Sequence, residues 1–134
     1  MAVQLSFDIV YQYSDKDAGI IIPTGLILGD KAVHTYANVD PGTEFCIFSN
    51  EIGLELGLDI ETGLPQLMGS LTGTLETYGH EVTIQTFGIA FQSVIYFSKY
   101  QGLPRNLLGR VGWLRQLRLA IIDYECKLYL SRYS

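Results

Sequence analysis

The sequence has little charge, little cysteine and little histidine, and each shortage excludes a class of function. Only 17% of its 134 residues are charged while 48% are apolar, a balance that suits a folded chain and excludes an extended disordered one. Nine Lys and Arg stand against fourteen Asp and Glu, so no basic footprint exists for nucleic acid or an anionic membrane. Two cysteines and two histidines cannot supply the clustered ligands of a zinc-type centre, and neither a metal nor another cofactor is expected. Cys46 and Cys126 lie far apart, and counting alone leaves a disulfide open. Nothing points to secretion, because Met1-Ala2-Val3-Gln4 lacks a basic start and Asp8 interrupts the apolar stretch that a signal peptide needs. No apolar run approaches the roughly 20 residues that cross a bilayer. A reduced, cytoplasmic protein with no membrane or nucleic-acid partner is the expectation.

What the sequence has is aromatic and β-branched residues in alternating order. Nine Tyr and six Phe favour pleated, half-buried surfaces. Val3, Leu5, Phe7, Ile9, Tyr11 and Tyr13 alternate with polar residues, which predicts a first strand, and 14–17 reads as a turn. Residues 19–28 form an apolar run with Pro23 inside it, a strand either broken there or exposing that position at an edge. A tight tip at 29–31 returns the chain through a strand at 32–39. Ser49 or Asn50 caps a short helix over 51–56, with Ile52 and Leu56 on its core side and Gly57 ending it. Residues 63–73 read as a mobile hairpin or loop. Strands at 82–86 and 89–97 join at Phe87-Gly88, and a short helix is predicted over 111–117. A last hairpin pairs 119–122 with 127–130. The halves repeat weakly, each ending an apolar strand at a glycine turn, and one domain spans the chain. Mostly strands with two short helices imply an all-β, barrel-like fold.

Asp40-Pro41-Gly42-Thr43, at the end of the returning strand, reads on its own as an ordinary turn, with proline at its second position. Its surroundings add meaning. Val39-Asp40-Pro41-Gly42-Thr43 is followed by the short helix, a hairpin region, a strand pair and then Asn106-Leu107-Leu108-Gly109-Arg110. In this order and spacing, from about residue 19 to 130, the chain resembles the retropepsin-like aspartic peptidases.

The resemblance implies an all-β acid-protease barrel with one or two short helices and one lobe per chain. It also implies aspartic-type endopeptidase activity on a peptide or protein substrate, with Asp40 as the catalytic carboxylate. Two such carboxylates sit close and share one proton, because like charges that near cannot both ionise cheaply. One acts as general base on the attacking water, and the other donates to the scissile carbonyl oxygen. Asp30, Asp59 and Asp123 lack the following glycine, so Asp40 must meet its own copy in a homodimer. By the same resemblance, Glu44 pairs with Arg110 and ties the Asp40 turn to the second signature turn, Leu107, Leu108 and Gly109. A flap falls within 67–78, where Gly69 and Gly73 let the tip move and Met68 or Tyr78 lines the cleft. His34 and His80 read as structural or solvent-facing, and Trp113 as core or dimer interface.

One position departs from the family pattern. Pro41 stands where Thr or Ser is usual, and it has neither the hydroxyl nor the N–H of the family's brace between subunits. Proline's fixed φ can keep the turn rigid and the dyad working. The alternative is a peptidase fold without catalysis, serving as a dimerisation or peptide-binding module; a small-molecule-binding β-barrel is the third reading.

Overall fold

The computed structural model describes residues 1–70 and 73–133. These form ten strands and one α-helix. A three-stranded antiparallel sheet, ordered β1-β10-β9, joins the two ends of the chain: β1 (Ile9–Gln12), β9 (Leu117–Ile122) and β10 (Lys127–Arg132). The larger sheet contains β2 (Ile21–Leu28), β3 (Lys31–Val39), β4 (Ile47–Phe48), β5 (Leu64–Ser70), β6 (Gly73–Thr86), β7 (Ile89–Ser98) and β8 (Leu107–Leu108). Its order is β2-β3-β8-β4-β7-β6-β5, and a further β2–β6 pairing curls it back on itself.

Alternation along the strands supplies the core. Ile22, Leu26, Val33, Ala37, Val39, Val82, Ile84, Ile95 and Phe97 point inward and pack with Phe48, Leu108 and Trp113. Burying each such side chain contributes about 1.5–3 kcal/mol. Pro23 is tolerated because β6 reaches β2 only at residues 25–27, so the exposed proline lies on a stretch of edge without that second partner. The β6–β7 turn is tight, with Phe87 and Gly88 both at positive φ, 51° and 82°, as a two-residue hairpin demands.

The helix α1 (Asn50–Glu55) begins where Ser49 Oγ accepts the Ile52 N–H and stops before Gly57, whose φ is 82°. Ile52 and Leu56 are buried on its inner side.

Two expectations are corrected. The first strand is only Ile9–Gln12, and residues 3–7 leave the sheet. The Asp8 N–H donates to the Ser131 side chain instead of a ladder carbonyl. Phe7 then packs on Tyr129, and Arg118 lies over Phe7 while donating to the Ser6 carbonyl. The helix over 111–117 is a single 3-10 turn, Leu114–Gln116. Gly112 (φ 109°) and Trp113 (φ −140°) are not helical, since the fully buried Trp113 ring turns inward and its Nε1 donates to Thr86 Oγ1. Of the two readings of residues 63–73, hairpin or loop, the described residues form the hairpin: β5 pairs with β6 from Leu64↔Gly79 to Ser70↔Gly73.

Candidate active site

β3 runs parallel to β8, with Asn38 opposite Leu107 and Val39 opposite Leu108, while β4 runs parallel to β7. Both glycine turns are thereby brought side by side. The Asp40 N–H donates to the Leu108 carbonyl (3.0 Å), Arg110 N–H to the Thr43 carbonyl (2.9 Å), and Val111 N–H to the Glu44 carbonyl (2.6 Å). Gly109 must lack a side chain, because a Cβ there would lie 2.2 Å from the Phe45 carbonyl oxygen. Asn106 clamps the second turn from behind. Its carbonyl accepts the Asn38 N–H, its Oδ1 accepts the Ser49 N–H, and its Nδ2 donates to the Tyr36 carbonyl.

The Asp40 carboxylate is held by its own turn. The Thr43 N–H closes the turn onto the Asp40 carbonyl at 3.1 Å, with Pro41 at the second position where its fixed φ fits. Asp40 Oδ1 accepts the Gly42 N–H at 3.0 Å, and Oδ2 accepts the Thr43 hydroxyl at 2.7 Å. Each carboxylate oxygen has a second lone pair, so the group keeps acceptor capacity beyond its own turn. Pro41 and Gly42 are exposed and Asp40 is half-buried. Thr43 thus anchors the carboxylate from the position after the glycine, while Pro41 contributes only rigidity.

Glu44 and Arg110 are both exposed, and the ion pairs among the described residues involve neither. The two turns are tied through backbone hydrogen bonds where a side-chain pair was expected. Leu108 is fully buried and Leu107 partly so. In the hairpin of β5 and β6, Gly69 faces Thr74 and Gly73 has φ 137°. Leu71 and Thr72 of the expected flap lie outside the described residues. Met68 is partly exposed, whereas Tyr78 packs against the core.

Other reactive groups play structural parts. Cys46 is buried beside the second turn, where Sγ accepts the Gly109 N–H. Burial pushes its thiol up to about 12, outweighing the opposing Gly109 hydrogen bond, so it is no nucleophile near neutrality. Both cysteines are free. The His80 ring bonds to the Ile60 carbonyl at 2.8 Å, and His34 is exposed. Among the described residues no three His, Cys, Asp or Glu side chains cluster as metal ligands, and no helix is long and apolar enough to cross a membrane.

Sequence reasoning missed Asn106 as a clamp on the second turn.

By sequence, no family model and no curated protein matches the chain. By structure it is similar to a retropepsin-like aspartic protease from Rickettsia conorii. The TM-score is 0.68 at 17% identity, over 90% of this chain and 95% of that one. It is also similar to the EIAV protease complexed with the inhibitor HBY-793. There the TM-score is 0.54 at 18% identity, over 75% of this chain and 88% of that one. The chain has a retropepsin-like, mostly-β fold.

Proposed function

We propose that the protein is a homodimeric aspartic endopeptidase in which Asp40 and the same residue of a second copy activate water against a peptide bond. The observation that carries this reading is the doubly anchored Asp40 carboxylate, seated at the end of β3 in a retropepsin-like fold. One chain provides one such aspartate, because the matching turn carries Leu107-Leu108-Gly109 in place of an acid. The dyad therefore requires the dimer. Once paired, one carboxylate takes a proton from water while the other, protonated, gives its proton to the carbonyl oxygen; as the tetrahedral diol collapses, the first passes its proton to the leaving amine and the second recovers one from a diol hydroxyl. Gly42 N–H and the Thr43 hydroxyl hold each carboxylate in place during these transfers. A peptide or protein is the substrate.

The test is hydrolysis of an unfolded protein between pH 4 and 7, with and without pepstatin. Pepstatin-sensitive cleavage that Asp40→Asn abolishes is expected. One observation favours a second reading: Pro41 cannot supply the hydroxyl brace between subunits, which suits a dimerisation or peptide-binding module. A stable dimer without cleavage at any pH selects that module.

A further inference from the structure

Two of the three ion pairs among the described residues converge on one side chain. Lys99 Nζ lies 3.5 Å from Glu61 Oε1, 3.8 Å from Glu76 Oε2 and 5.2 Å from the centre of the Tyr100 ring. They meet at the root of the β5–β6 hairpin. β6 pairs with β7 from Thr86↔Ile89 to Thr77↔Ser98 and no further, while β5 and β6 go on pairing with each other to Ser70↔Gly73. Residues 67–70 and 73–76 therefore project past the end of β7 as a two-stranded ribbon, with no third strand among the described residues. A ribbon of two strands is marginally stable by itself, so its pose is set where it leaves the sheet.

That root has a firm side and a loose side. On the firm side, Thr77 is buried and its hydroxyl donates to the Gln66 carbonyl at 2.7 Å, joining the two legs. The His80 ring bonds the Ile60 carbonyl and fills the space over Gly63, which holds the 3-10 turn Ile60–Thr62 against β6. Asn50 Nδ2 donates to the Ser98 and Lys99 carbonyls and fixes the end of β7 to α1. On the loose side, the Lys99 N–H donates to the Glu76 carbonyl at 2.9 Å. Beyond that bond only the ammonium reaches across, from the fixed end of β7 to Glu61 on the fixed turn and to Glu76 on the ribbon. Both pairs are open to solvent, so each can break and re-form.

The ribbon continues a defined face of the sheet. A Cβ on Gly79 would press on the Tyr96 ring, and that ring packs on Phe45 at 4.9 Å, in the segment after the Asp40 turn. Leu75 is four residues before Gly79 on β6 and shares its face.

We propose that Lys99 is an electrostatic latch on this ribbon. Paired with Glu76 it holds the ribbon in the pose described; with the pair broken, the ribbon swings about the level of Thr77 and Gln66. The latch stands on the ion pairs and the hinge, whereas a lid role for the ribbon over the Asp40 turn rests on the peptidase reading.

Hydrogen–deuterium exchange of the full chain, without ligand, tests the latch at low salt and at about 1 M NaCl, where the screening length is about 3 Å. At low salt, Lys99→Met and Glu76→Gln should each speed exchange in residues 67–70 and 73–76 by about two- to fivefold, the range of an exposed ion pair. Combining the two should add nothing further, and Lys99→Arg should keep the protection. Salt should speed the ribbon of the unaltered chain by a similar factor and leave Lys99→Met unchanged. Amides in 82–86 and 89–97 should not move. Unchanged ribbon exchange in both variants, an equal acceleration throughout β6 and β7, or a salt response that survives Lys99→Met overturns the latch. Cleavage of an unfolded protein by the same variants is read separately. A working latch with cleavage equally fast in Lys99→Met and the unaltered chain defeats the lid role alone, and a working latch with no cleavage by either defeats the peptidase reading alone.

Discussion

The two glycine turns occupy matching places in the two halves of the chain and have opposite characters. In the first, the glycine is exposed and a Cβ on Gly42 would meet only the Asp40 carboxylate, at 3.2 Å. In the second, Gly109 is buried, Leu108 beside it is fully buried, and a Cβ would strike the Phe45 and Thr43 carbonyls at 2.2 and 2.8 Å. The first turn holds an ionisable group at the surface and the second holds the first in place. A repeated backbone shape therefore does not repeat a role. What differs is whether the turn carries an acid or a leucine, and how tightly the surrounding backbone closes on it.

The largest effect that tests this contrast is the pair Gly109→Ala and Gly42→Ala. At Gly109 the obstructing atoms are backbone, which cannot swing aside, so a loss of about 3 kcal/mol or more is expected. At Gly42 the only neighbour is the carboxylate of Asp40, and stability should stay within about 1 kcal/mol. Urea unfolding of both variants reads the difference. Equal losses would erase the distinction between a scaffold turn and a site turn.

That distinction was partly legible in the sequence. Both turns were readable as Asp-Pro-Gly-Thr and Leu-Leu-Gly-Arg, and so was α1, because a serine cap, Ile52 and Leu56 four apart, and a terminal glycine are local signals. Strand period also marked the hairpin at Phe87-Gly88. Elements decided by distant contacts were not legible. The alternation from Val3 to Phe7 is as regular as any strand, yet Asp8 spends its N–H on the Ser131 side chain and the segment leaves the sheet. Residues 111–117 carry a helical pattern, yet the core position of Trp113 limits it to one 3-10 turn. The Glu44–Arg110 pair came from resemblance, and the backbone already makes the link it was to provide. Asn106 matters through partners far along the chain, which a sequence read by segments does not reveal.

The second effect is alkaline, and it falls on the scaffold turn. The Cys46 thiol is raised from 9.0 to about 12 in the folded chain, with burial the larger cause. The folded state thus holds this proton more tightly than the unfolded state does. Its contribution is fully present below about pH 9 and is lost as pH rises toward 12. Tyr13 adds to the same slope from a higher start, its hydroxyl being raised from 10.0 to about 12 by burial and by its bond to Asp123. Between pH 9 and 10, Cys46→Ala should flatten the fall in unfolding free energy, and Tyr13→Phe should flatten it less, because an unfolded tyrosine starts to ionise later than an unfolded cysteine. A slope untouched by Cys46→Ala would show that the second turn is not where alkali acts.

The smallest effect on stability, and the one most telling for the site, is Thr43→Ala. The hydroxyl bond to Asp40 Oδ2 is only partly buried, so its loss should lower stability by about 1 kcal/mol. Cleavage should fall more than that figure suggests. With Pro41 giving no hydroxyl, Thr43 and the Gly42 N–H are the groups of this turn that fix the carboxylate, and removing one leaves it to rotate. A tenfold lower kcat is expected, equivalent to about 1.4 kcal/mol of barrier, with KM little changed because the threonine hydroxyl is engaged by Asp40 Oδ2. Thr43→Ser keeps the hydroxyl and should restore most of the rate. A serine variant as slow as the alanine variant would show that Thr43 acts through its methyl packing, and the site turn would then resemble the scaffold turn after all.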